Sequence, residues 1–287
     1  MSLDASLLER VALPGVALPS RWAGHPVVVA ENARNGWDVT HVWSDDDALL
    51  VRLRWRERTD GDRPFAVEAG DDAQAASLLS VGSSDGAARL LLRAAADLAR
   101  EGTDLASATR SSVPRGTRAT LAAMAVADPT LVVPAPFDVP TDGAWDWMGT
   151  TSAPPAQPGE ERVEELVGEA GLAEARAARE RANPHGELAV EEPRSRWWGW
   201  RDDDGVLRGV VGASRRVPGQ PWVLGSIGTD PAWRGRGIAA ATTAVATRAG
   251  LAEVPMVTLG LYAHNHTARR LYARLGYELA QEFESHR

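Results

Sequence analysis

Within Ile227-Gly228-Thr229-Asp230-Pro231-Ala232-Trp233-Arg234-Gly235-Arg236-Gly237-Ile238-Ala239, a strand pattern breaks at a proline and turns through two glycines into a helical stretch. That order of residue types suits an anion. Gly235 and Gly237 lack the Cβ that would hold a phosphate off the main chain. A helix opening at Gly237 adds unpaired N–H groups and the positive end of its dipole. Arg234 and Arg236 supply guanidinium groups, which bind phosphate oxygens through paired donors. A plain strand-to-helix turn uses the same glycines, so the segment alone leaves both readings open.

Other chemistry-bearing residues are weaker signals. His264 and His266 flank Asn265, but a His-x-His pair without carboxylate support makes a poor zinc set, and no metal is expected. Asp45 to Asp47 and Asp202 to Asp204 lack a continuing calcium-ligand pattern and read as hairpin turns. Trp197, Trp198 and Trp200 read as strand residues facing a core rather than as a ligand platform, and the Arg269-Arg270 pair stays open between phosphate contact and solvent. His185, Glu187, Glu191, Glu192 and Asp202 fall where substrate-side loops are expected, and none is singled out as a base. With no cysteine in the chain, disulfides, thiol acyl-enzymes and Cys-ligated metal are excluded, and no serine triad or nucleophile elbow is recognisable.

The elements that would position the glycine turn follow from periodicity. Ser195 to Trp200, Val206 to Val217 and Trp222 to Thr229, joined by an aspartate turn and Pro218-Gly219, read as a three-strand meander. A helix from Gly237 to Arg248, a strand at Met256 to Tyr262, a helix carrying Ala268, Leu271, Tyr272 and Leu275, and a last strand from Tyr277 complete the series. Before it, Val163, Leu166, Val167 and Ala170 fall at helical spacing and lead into an alanine-rich run to Ala182. The Pro- and Thr-rich stretch from Met148 to Glu160 reads as a linker, which sets domains at 1–150 and 151–287. The first half shows the same order more faintly: strands at Trp37 to Trp43, Leu49 to Trp55 and Phe65 to Ala69, then a helix from Gly86 to Arg100. Trp43-Ser44-Asp45-Asp46-Asp47 and Trp200-Arg201-Asp202-Asp203-Asp204 lie 157 residues apart, as a duplicated domain would place them.

In this order of strand, glycine turn, helix, strand and helix, the sequence resembles the GNAT acyl-coenzyme A transferases. Arg234-Gly235-Arg236-Gly237-Ile238-Ala239 is similar to the family's pyrophosphate loop. Asn265, Ala268, Leu271-Tyr272 and Leu275-Gly276-Tyr277 are similar to its second signature. The resemblance spans about Glu160 to Arg287. It implies an α/β (α+β) fold with a mixed, mostly antiparallel sheet flanked by helices, and a degenerate GNAT-like domain in the first half. It also implies acetyl-coenzyme A as co-substrate, with the amides of Gly235 to Ala239 on its pyrophosphate. Main-chain groups of Ile227 and Thr229, and Asn265, would meet the pantetheine arm. Tyr272 matches the tyrosine that gives a proton to the departing thiolate; its stripe with Ala268, Leu271 and Leu275, taken alone, reads as packing. The acceptor the resemblance implies is a primary amine of a small molecule, attacking directly in a ternary complex. A mycothiol-synthase-type tandem and a non-catalytic acyl-coenzyme A sensor are the alternatives.

Two features depart from the family. In the first half, Ala69-Gly70-Asp71-Asp72 stands where a glycine loop is expected, and two carboxylates repel a pyrophosphate. The chain also ends soon after Phe283, so the family's final strand is short or supplied by other sequence.

Composition sets the outer bounds. The 287 residues suit two domains at about 150 each. All 31 basic residues are arginine, against 39 acidic ones, so the net charge of −8 gives no global field to gather nucleic acid or anionic membrane. Met1 to Leu18 carries Asp4, Glu9 and Arg10 and lacks a signal-peptide pattern, and no run approaches the ~20 apolar residues of a membrane span. The expectation is a cytoplasmic monomer or homodimer.

Overall fold

The computed structural model describes residues 18–34, 37–55, 76–192, 195–215 and 219–287. The chain divides into two compact units. Of the described residues, one comprises those from 18 to Trp147 together with 262–264 and 279–287; the other comprises those within 148–261 and 265–278. The fold is mixed α/β, with mostly antiparallel strands flanked by helices.

In the first unit, α1 (Ser20–Ala23) and α2 (Pro26–Arg34) precede β1 (Trp37–Ser44), β2 (Ala48–Trp55) and β3 (Ala76–Gly82), an antiparallel meander. Then α3 (Ser84–Arg100) leads to β4 (Ala108–Pro114), which runs parallel to β3, followed by α4 (Thr117–Ala127) and β5 (Gly143–Thr150). The stripe that makes α3 a helix is also its core face: Leu91, Ala94 and Leu98 are fully buried against Leu50, Leu78 and Leu121. The expected strand at Phe65 to Ala69, the Ala69-to-Asp72 stretch and the N-terminal segment lie outside the described residues. The strand that actually precedes α3 is β3, so the loop at the head of this helix is Ser83, not Ala69 to Asp72.

The second unit holds β6 (Val163–Glu165), α5 (Gly168–Ala182), β7 (Arg196–Arg201), β8 (Leu207–Ser214), β9 (Trp222–Thr229), α6 (Ile238–Leu251), β10 (Val257–Tyr262) and α7 (His266–Arg274). From β6 to β9 each strand pairs antiparallel with the next, and β10 joins β9 in parallel. Successive residues on β7 and β8 face opposite layers. Trp197 and Val210 pack with Ala175, Ala178 and Ala182 of α5, while Trp198, Val211 and Ala213 pack with Ala244 and Ala246 of α6. Trp197 and Trp198 are core residues, while Trp200 is half-buried.

Two local expectations change. Val163 belongs to a strand, not to the helix: it pairs with Trp200, while Glu164 and Glu165 reach out to Arg201 and Arg196. Its helical spacing with Ala170 spans two elements. Met148 to Thr150 ends β5, buried rather than linking, and Pro154 accepts from Arg248 (3.1 Å), so the following stretch is tied down. The last strand, β11 (Glu278–His286), pairs antiparallel with β4 in the first unit.

Candidate functional site

The site begins where β9 and β10 part. Their parallel register runs from Val257–Trp222 to Leu259–Leu224 and stops. At that point β9 carries a bulge against β8, with Ser226 at φ 50°, a left-handed backbone that a serine adopts only when its surroundings hold it. The Ser226 hydroxyl donates to Leu188 O (2.8 Å). Beyond Leu224, therefore, the β10 side of β9 has no ladder partner.

Past the bulge, Asp230 organises the turn. Its Oδ1 accepts from Ala232 N (3.1 Å), its backbone O from Trp233 N (2.8 Å), and its Oδ2 from Arg208 Nη1 (3.1 Å). Pro231 at the head of the short helical turn has no N–H to satisfy. Then come Gly235 (φ 78°) and Gly237 (φ 81°), both left-handed, with no atom within 4 Å of where a Cβ would stand. Residues Arg234 to Gly237 are exposed. Among the described residues, no backbone N–H from Arg234 to Ala240 donates a hydrogen bond; the first to do so is Ala241, to Gly237 O (3.0 Å). Gly237, the N-cap of α6, offers no side chain to replace them. Nor do Arg234 and Arg236 pair with a carboxylate among the described residues. Arg234 folds back to Thr229 O (3.3 Å), and Arg236 lies over the Trp233 ring (4.5 Å). Free amides, open space and two guanidinium groups without a carboxylate partner converge on one turn, an arrangement that suits a polyanion.

The first unit shows the same junction closed. Ser83 caps α3 by accepting from Gly86 N (3.0 Å), and Ser83 N donates to Asp47 O (2.9 Å). A Cβ on Gly86 would lie 2.7 Å from that of Ala48.

The remaining predicted residues are less open. Ile227 O already accepts from Asn183 Nδ2 (3.2 Å), and Thr229 O from Arg234, so each carbonyl keeps one lone pair. Asn265 is the N-cap of α7, its Oδ1 accepting from Ala268 N (3.1 Å), which leaves its amide NH2. Tyr272 is 7 % exposed in the core with Leu275 and Tyr277, the two phenol rings 6.0 Å apart. Burial pushes its hydroxyl above the ordinary phenol value, and the hydroxyl hydrogen-bonds to no group among the described residues. Tyr277, by contrast, is tied to Thr247 Oγ1 (2.6 Å).

Of the loop acids, Asp202 is committed to its hairpin. It accepts from Val206 N (2.8 Å) and Arg208 Nε (2.7 Å), and the Arg208 hydrogen bond holds it below the usual carboxylate range. Arg176 does the same to Glu191 (2.7 Å). His185 and Glu187 are exposed, and His264 stacks on Tyr262 (5.7 Å). Among the described residues no group of three His, Asp or Glu side chains is placed to hold a metal.

In the loop after α5 the sequence draws attention to His185 and Glu187 and gives no role to Asn183 or Gly186. Asn183 reaches Ile227, and Gly186 sits so close to Ser226 that a Cβ there would collide with its Oγ. Its only sequence signal was an asparagine and a glycine at the end of a helix.

The family model described as the Acetyltransferase (GNAT) family matches residues 161–277. No curated protein matches the chain. Among solved structures, the chain is similar to a GCN5-related N-acetyltransferase from Kribbella flavida, at 16% identity over 93% of each chain with TM-score 0.48. It is also similar to a putative GNAT-family acetyltransferase from Novosphingobium aromaticivorans, at 22% identity over 72% of this chain and 82% of that one, TM-score 0.44. The family model covers the bulged strand, the open glycine turn and the tyrosine helix, so residues 161–277 are similar to a GNAT acetyltransferase domain.

Proposed function

We propose that this domain moves an acetyl group from acetyl-coenzyme A to a primary amine of a small molecule by direct attack in a ternary complex. The observation that carries the reading is the run of undonated amides from Arg234 to Ala240 beneath two glycines with open space above them. A diphosphate satisfies such a run, and Arg234 and Arg236 neutralise it. The unpaired side of β9 from Ser226 to Thr229 and the free amide of Asn265 then face the amide-bearing arm of the coenzyme. Bound acetyl-coenzyme A supplies the thioester that the amine attacks. Tyr272, fully protonated at neutral pH, holds the proton that a departing thiolate needs. No carboxylate or imidazole is assigned as base; a water chain serves an amine that reaches the site protonated.

Calorimetry with coenzyme A on the full chain tests the loop. Gly237→Val fills the open space and strains a left-handed residue, and affinity is expected to fall about 10- to 100-fold, the equivalent of one or two charge-assisted hydrogen bonds. Unchanged affinity removes the assignment. The burial of Tyr272 also suits a sensor that binds acyl-coenzyme A without transferring it. Release of free thiol in a screen of polyamines, aminoglycosides, peptides and amino-sugar thiols separates the two.

A further inference from the structure

Two guanidinium groups of very different standing pack over the Trp233 ring. Arg208 Cζ is 4.9 Å from the ring centroid and Arg236 Cζ is 4.5 Å from it. Arg208 is anchored: Asp202 Oδ2 accepts from its Nε (2.7 Å) and Asp230 Oδ2 from its Nη1 (3.1 Å), so its charge is compensated twice. Arg236 has no carboxylate partner among the described residues and is exposed. The indole is fixed at both ends. Its backbone N–H is bound to Asp230 O (2.8 Å), and its ring lies 6.1 Å from Trp200, whose Nε1 donates to Gly159 O (2.9 Å).

We propose that Trp233 is a positioning residue: its ring holds the Arg236 guanidinium beside the free amides of the glycine turn, and the Asp202–Arg208–Asp230 clamp holds the ring. The idea rests on the coenzyme reading above and adds to it a chain of residues that never touch the ligand. A free arginine on a surface turn visits many rotamers, and an anion must first gather it. Stacking on a fixed indole removes most of that search and leaves the N–H edges of the guanidinium available, because the ring engages only its face. Two cations on one ring are tolerated because Arg208 arrives already neutralised. The Asp202 turn, 28 residues upstream of Asp230, thereby gains a part in ligand binding.

A double-mutant cycle on the full chain, read by coenzyme A calorimetry and by acetyl-coenzyme A kinetics, tests this. Trp233→Leu is expected to weaken binding about 3- to 10-fold, with Trp233→Phe restoring most of it, the size of a partly exposed cation–π contact. The loss should appear in KM with kcat unchanged, and should vanish when Trp233→Leu is made in an Arg236→Ala background. Should Trp233→Leu fail to fold, Trp233→Met takes its place in the cycle. Additive losses from Trp233 and Arg236, or Trp233→Leu binding as tightly as the wild type, overturn the proposal while leaving the coenzyme site standing. A wild-type chain that binds no coenzyme A overturns both.

Discussion

A phenol in an apolar core keeps its proton, because ionising it there means burying an unpaired charge. Tyr272 is such a group, its hydroxyl raised by burial and bound to nothing described, whereas its neighbour Tyr277 is held by Thr247. Tyr277 is the structural tyrosine of the pair; Tyr272 has a proton and no fixed use for it. Tyr272→Phe is expected to leave coenzyme A affinity within about twofold and lower kcat at least 100-fold, the usual size of general acid catalysis. Equal turnover in the two proteins would assign Tyr272 to packing. At this scale the sequence was readable where a residue type carries its own geometry, as with Gly235 and Gly237. It was not readable where the role depends on a partner brought from afar. Nothing in the string marks Asn183 as the donor to Ile227, or Trp233 as the rest for Arg236.

Among the elements, α4 and β11 show how a short helix is secured. Gly116, its N-cap, has no side chain, and the missing acceptor comes from β11: Glu284 takes the N–H groups of Gly116 (3.0 Å) and Arg118 (2.7 Å). Burial raises this carboxyl, but the His286 ring 3.5 Å away and the hydrogen bonds from the N–H groups of Arg118 and Gly116 outweigh it and hold it below its ordinary value. A lowered value in the folded state means stability that is present above the ordinary carboxylate range and lost as pH falls through the folded value. Glu284→Ala is expected to cost about 1–2 kcal/mol in urea denaturation at pH 7, as for lost helix caps. That difference should shrink as pH falls below the ordinary carboxylate range and the wild-type carboxyl takes up its proton; a constant difference would refute the capping role. Elements with regular apolar periods, such as α3 and β9, were legible from sequence. Strands β4 and β5 were not, since β4 buries Ser111 and β5 buries Asp146 and Thr150, and polar residues at core positions erase the alternation.

For the molecule as a whole, a net charge of −8 opposes any polyanion, so binding must come from local donors rather than from the field. Of the two junctions that head α3 and α6, only one offers them. The junction at α6 has its amides free, while the one at α3 is sealed by Ser83 and by Asp47 O. The full chain is therefore expected to bind one coenzyme A, not two, in calorimetry. A stoichiometry of two would mean that the α3 junction opens. The matching turns at Asp45 and Asp202 extend the likeness between the halves. Each aspartate accepts from the N–H two residues on, and each is fastened by an arginine, Arg89 or Arg208.

The partnership of β11 with β4 also orders events during synthesis. The first unit is mostly made before the second, yet β4 must wait with a bare edge until residues 278–286 have been made. Until β11 exists, that edge is open to pairing with the strands of other chains.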